Sequence, residues 1–160
     1  MTSTSDAHVL AYLGLGSNLG DREANIRNAL ERLAALDGVE VLRVSSMLET
    51  EPAYVLDQPD FINACAAVSV PFGAAELLSH LLAIEADMGR VRVVDKGPRL
   101  IDLDILLFGD EIVDSDELSI PHPAIGERFF VLAPLAEIAA NVVHPVTKVT
   151  ISAMLHNLKV

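Results

Sequence analysis

Two aspartates one residue apart, Asp102 and Asp104, sit inside an apolar run, LIDLDILLF at 100–108. In an extended segment residues i and i+2 point to the same face. Both carboxylates should therefore project together, with Ile101, Leu103, Ile105 and Leu107 on the opposite face. Two acids side by side repel each other and are costly to desolvate unless a cation lies between them. Oxygen donors suit a hard divalent ion, and Mg²⁺ arriving with phosphate is the commonest such case. The plainer alternative is a solvated strand face with two surface acids. The apolar flanks argue against an openly exposed strand.

A basic loop leads directly into this segment. Arg90, Arg92, Lys96 and Arg99 fall within ten residues of a chain that has 11 basic residues in all. Guanidinium groups bind phosphate oxygens bidentately, and metal-binding carboxylates beside arginines are what phosphoryl transfer requires. A loop that merely balances neighbouring acids is the alternative. Three further groups carry weaker signals. Gly14-Leu15-Gly16-Ser17-Asn18-Leu19-Gly20 stands between an apolar run and a helical pattern, one residue off the dinucleotide-binding spacing. A nucleotide- or NADP-binding module without chemistry is one reading of it. Glycines that shape a strand-to-helix turn are the preferred one. Phe61 and Asn63 share a strand face, placing a flat ring beside a carboxamide that can donate and accept. Phe61 and Phe130, read alone, are core residues. His122 lies between two prolines in a loop where it can approach a phosphate, whereas His8, His80, His144 and His156 lack metal-ligand spacing.

Composition narrows the partners. The 160 residues carry a formal charge of -12, with 51% hydrophobic and 21% charged residues. That charge disfavours nucleic acid and anionic membranes as partners, and one basic cluster in an acidic chain suits a small anionic ligand. The length fits a single domain over 1–160, with 1–7 frayed, and a mean hydropathy of +0.40 argues against disorder. Cys65 is the sole cysteine, so an internal disulfide framework is excluded; in an apolar strand it reads as an inert buried thiol. No apolar run reaches membrane-span length, and no Lys or Arg precedes Arg22. The expectation is a cytoplasmic monomer.

The elements that must hold these groups follow from periodicity. Strands are expected at 9–15, 39–51, 60–70 and 100–108, helices at 21–36, 73–88 and 151–158, and a loop at 90–98. Gly109-Asp110 signals a hairpin returning through Ile112 and Val113. The order β-α-β-β-α-β, with two strands in direct succession, argues for an α+β sheet layered against helices.

These segments together closely resemble one family. GSNLGDR at 16–22, TEP at 50–52, QPDFINA at 58–64, GRVR at 89–92, GPRLIDLDIL at 97–106, PHP at 121–123 and ERFFVLAPLAEIA at 127–139 are similar, in order, to 6-hydroxymethyl-7,8-dihydropterin pyrophosphokinase of folate biosynthesis. The resemblance implies a ferredoxin-like α+β fold, an antiparallel sheet with packed helices in a three-layer sandwich with additions. It implies Mg²⁺-dependent transfer of pyrophosphate from ATP to the pterin hydroxymethyl group, with AMP as second product. By that resemblance Asp102 and Asp104 hold two Mg²⁺ ions. Arg90 and Arg92 are catalytic on a mobile loop. Glu85, Arg90, Arg92, Arg99, Ile105, Ser119, His122 and Arg128 bind ATP. Thr50, Pro52, Phe61, Asn63, Asp102 and Phe130 bind the pterin, the two phenylalanines sandwiching its ring. The chain departs from some members at Lys96, where they carry an aromatic residue in a loop one residue longer. Glu117 likewise stands where some have a basic residue.

Overall fold

The structure is a computed structural model that describes residues 8–51, 59–89 and 100–158. The N-terminal stretch 1–7, Pro52, the loop expected at 90–98, and with it Arg90, Arg92, Lys96 and Arg99, lie outside the described residues.

Seven strands and four helices are described: β1 (Val9–Ser17), α1 (Arg22–Ala34), β2 (Glu40–Val44), β3 (Leu48–Thr50), β4 (Phe61–Val70), α2 (Ala74–Asp87), β5 (Asp102–Phe108), β6 (Val113–Asp114), β7 (Ser119–Ile120), α3 (Phe129–Ala139) and α4 (Ile151–Asn157). The main sheet runs β2-β4-β1-β5, with β3 also paired to β4, and its ladders are all antiparallel. This is the ferredoxin-like order: α1 carries the chain from β1 to β2, and β4 inserts between those two strands.

Two apolar clusters fix the layers. Leu13, Leu15, Leu103 and Ile105 pack on one face with Ile26 and Leu33 of α1 and Leu77 and Leu81 of α2. Tyr12, Cys65, Leu106 and Leu107 pack on the other with Leu132 and Leu135 of α3 and Ile151 of α4. Helices thus cover both faces, giving three layers.

Local chemistry sets the element ends. Asp21 caps α1, its side chain accepting from the Ala24 amide, and Thr150 caps α4 by accepting from Ala153. Gly38 and Gly89 follow α1 and α2 with φ of 79° and 87°, a region glycine enters without steric cost.

Three expectations are corrected. The strand expected at 39–51 is two strands. Between the pairs Val44↔Ala66 and Leu48↔Asn63 one side has an extra residue, and the Ser45 hydroxyl accepts the Cys65 amide in place of a carbonyl. The hairpin after Gly109 does not return along β5. The turn forms, with Gly109 at φ 56°, but β6 pairs with β7 in a separate two-stranded sheet. Leu107 does not share a face with Ile101, Leu103 and Ile105. The register slips between Tyr12 and Leu13, so Leu106 is an extra residue and Leu107 joins the opposite cluster.

Candidate active site

The bulge leaves the first half of β5 regular, and there Asp102 and Asp104 face Gly16 and Gly14 of β1. The next strand continues the rows: Gly16 pairs with Asn63 and Gly14 with Cys65 of β4. Residues directly opposite in a ladder project to the same side. The two acids on β5 and the carboxamide on β4 therefore flank a strip of β1 that has no side chains. Both aspartates are half-buried, so neither sits on an open solvated face.

A cavity of about 1120 Å³ lies over this strip. It is lined by Thr50, Phe61, Asn63 and Phe130 together with Asp102, Asp104, Glu85, His122 and Arg128. The structure thus gathers residues from five strands or helices and the loop after β7 onto one hollow. A further arm runs between α2 and the β6–β7 hairpin, lined by Leu78, Leu82, Glu111, Val113, Glu117 and Leu118. Ile105 and Ser119 do not line the cavity. Ile105 points into the core beneath α2, and Ser119 pairs with Asp114.

Sequence reasoning missed two parts. Gly14 and Gly16 lie inside β1 rather than in the turn, whose left-handed residue is Gly20 at φ 69°. A Cβ at Gly16 would stand 3.1 Å from the Asn63 Oδ1 and 3.6 Å from the Phe61 ring, so the bare backbone is what lets these groups sit low over the sheet. The glycines open a split βαβ unit: β4 lies antiparallel between β1 and β2, so β1 has no parallel strand directly beside it, and the dinucleotide reading, which needs adjacent parallel strands, is not supported. The α2–hairpin arm was also missed; its only signal was that the apolar face of α2 is too broad, Leu82 remaining 50% exposed while Leu77 and Leu81 are buried.

Each polar group has a definable state. Asn63 donates through Nδ2 to the Thr50 hydroxyl at 2.9 Å, leaving its carbonyl oxygen beside Gly16. Glu85, 4% exposed on α2, accepts the Leu103 amide at 2.8 Å, which ties the backbone between the two aspartates to the helix. His122 accepts the Ala124 amide at Nδ1, so its proton lies on Nε2 when the ring is neutral. Burial holds its pKa below the ordinary value, the Asp102 charge pulling weakly the other way. Burial also lowers the pKa of Arg128, whose guanidinium lies 5.6 Å from the centre of the Phe130 ring.

Oxygen donors converge at Asp102 and Asp104, and among the described residues no cluster of three or more His, Cys, Asp or Glu side chains could hold a metal alone. That donor set fits Mg²⁺, which is usually bound through one or two carboxylates together with substrate phosphates and water. It does not resemble a closed zinc cage.

The fold and site define an antiparallel α+β domain with paired acids and two phenylalanines on one cavity. The comparisons narrow the class. The profile of the 7,8-dihydro-6-hydroxymethylpterin-pyrophosphokinase (HPPK) family matches residues 12–140, and the chain belongs to that family. It is 46% identical over 133 residues to the 2-amino-4-hydroxy-6-hydroxymethyldihydropteridine pyrophosphokinase of Bacillus subtilis, covering 83% of this chain and 80% of that one. It is also 46% identical over 142 residues to the folic acid synthesis protein fol1 of Pneumocystis carinii, covering 89% of this chain and 19% of that one. The chain thus spans about a fifth of that fungal relative. A crystal structure of Plasmodium falciparum HPPK-DHPS with pteroate matches 93% of this chain and 42% of that one with a TM-score of 0.73 and 18% identity. That likeness concerns the fold. Among the described residues no helix is long and apolar enough to cross a membrane.

Proposed function

We propose that this chain transfers pyrophosphate from ATP to the hydroxymethyl group of 6-hydroxymethyl-7,8-dihydropterin, giving the pterin diphosphate and AMP. The observation that carries the reading is the shared face of Asp102 and Asp104 on a cavity that also holds Phe61, Asn63 and Phe130. A flat heteroaromatic ring would stack against Phe61 and Phe130, both of which line the cavity. Asn63 and Thr50 would read its polar edge, and Asp102 would meet the hydroxymethyl arm.

Asp102 and Asp104 would hold the two Mg²⁺ ions expected with ATP. When bound, Mg²⁺ neutralises phosphate charge and lowers the proton affinity of a nearby hydroxyl. The hydroxymethyl oxygen would bond to the β-phosphorus as the bond to the α–β bridging oxygen breaks, and AMP would leave. We assign uptake of the hydroxyl proton to Asp104. Neutral His122 would donate from Nε2 to a phosphate oxygen, and Arg128 would add fixed positive charge. Glu85 acts on this site at least through the backbone: it holds the Leu103 amide and so the spacing of the acid pair. Such a reaction is mainly positioning and charge neutralisation.

The test is direct. Incubation with ATP, Mg²⁺ and the hydroxymethyl dihydropterin should yield AMP and pterin diphosphate in equal amounts. Asp102→Ala and Asp104→Ala should each lower turnover by about a hundredfold to a thousandfold with the fold retained. Formation of ADP alone, or wild-type rates in either variant, would overturn the reading.

A further inference from the structure

The GSNLGDR stretch supplies none of the groups assigned above to a ligand, yet its side chains bond outward. Arg22, in the first turn of α1, reaches the open end of the β3–β4 ladder. Its Nη1 donates to Glu49 Oε2 at 2.8 Å and to the Asp60 carbonyl at 2.9 Å. Glu49 immediately precedes Thr50, and Asp60 immediately precedes Phe61. Thr50 and Phe61 are themselves the terminal register pair of that ladder. One nitrogen thus ties together the two chain segments that deliver Thr50 and Phe61 to the cavity. Asn18 adds a parallel tie, its Nδ2 donating to the Pro59 carbonyl at 3.1 Å.

The mechanics favour a positioning role. β3 has three residues, and such a short strand does not hold its own end well. α1 is the rigid partner, capped by Asp21 and anchored by buried Ile26 and Leu33. The Arg22 and Glu49 side chains are 31% and 54% exposed, and exposed pairs contribute little to global stability. What the contact can change is local: the separation of Thr50 and Phe61, and through the Asn63–Thr50 hydrogen bond the aim of the carboxamide.

We propose that Arg22 is a positioning residue for recognition of the pterin, acting through Glu49 and Asp60 on Thr50, Phe61 and Asn63. The inference rests on the pyrophosphokinase reading. It predicts a selective defect. Arg22→Ala should weaken the pterin about tenfold, in KM and in calorimetric titration with Mg²⁺ and a non-hydrolysable ATP analogue. Affinity for the analogue should stay within about twofold of wild type, and the melting temperature within about 3 °C. Arg22→Lys, which still offers a charged donor, should recover most of the pterin affinity.

Wild-type pterin affinity in Arg22→Ala would overturn the inference and leave the proposed function standing. Equal loss of pterin and nucleotide with a lowered melting temperature would also overturn it, making Arg22 a general support of the fold. A wild-type protein that binds no pterin would remove the functional reading, and this inference with it. If the alanine variant folds poorly, Arg22→Gln, which keeps the stem and a neutral donor, carries the same comparison. A pterin-selective loss supports the role, and an unchanged or two-substrate loss refutes it.

Discussion

The two glycines of β1 make an internal comparison. Neither has a left-handed φ, so each backbone accepts an alanine. The atoms nearest a Cβ at Gly14 belong to the Leu106 side chain, at 3.5 Å or more, which is ordinary contact. A Cβ at Gly16 would meet Asn63 Oδ1 at 3.1 Å, and the carboxamide must give way. Replacing glycine at a compatible position stabilises by about 0.4–1 kcal/mol through the unfolded chain. Gly14→Ala should show that gain, about 1–4 °C in melting temperature for a chain of this size. Gly16→Ala should gain as much and lose the Asn63–Thr50 hydrogen bond, about 0.5–1.5 kcal/mol. The two variants should then differ by about 1–6 °C, Gly16→Ala being the lower. Scanning calorimetry reads the difference, and pterin titration reads the displaced carboxamide as a loss of about tenfold for Gly16→Ala. Equal melting temperatures with unaltered pterin affinity in Gly16→Ala would refute the packing argument.

Two further outcomes follow from titration states. The Cys65 thiol is pushed up to about 12, first by burial and then by the Glu137 charge. At pH 8 it should resist iodoacetamide in the native protein and react fully in urea; native labelling at the rate of a free thiol would contradict its burial. His122 and His144 are both held below the ordinary 6.5 by burial. Above that value both states are neutral and stability is level in these groups. As pH falls below it, the unfolded chain takes up protons that the folded chain resists, so stability declines toward acid. Glu137, lowered first by its side-chain hydrogen bond to Ser46, supports the fold above 4.5, and that support is lost as pH falls through its folded value. Urea unfolding without ligand should give a falling free energy from pH 7 to 5, with a shallower fall in His144→Asn; a rise over that range would contradict these states.

The amino-acid sequence by itself determined the alternation that puts Asp102 and Asp104 on one face. It also determined α1 with its Asp21 cap, the Phe61–Asn63 pair and the α+β order, because each depends on neighbours within a few residues and a fixed backbone period. It misjudged Leu107, the strand at 39–51 and the hairpin after Gly109, because a one-residue bulge and the choice of a strand's partner depend on the facing strand. It placed the β1 glycines in a turn when they floor the cavity, since only cross-strand register reveals what a missing side chain leaves open. The shared cavity of Phe130 and Phe61 was expected from the family resemblance and not from their own spacing, while the α2–hairpin arm, the Glu85 tie to Leu103 and the reach of Arg22 to Glu49 and Asp60 were decided by tertiary structure alone. These groups are separated by many residues along the chain, and only the packing of layers brings them to one cavity or into one hydrogen bond.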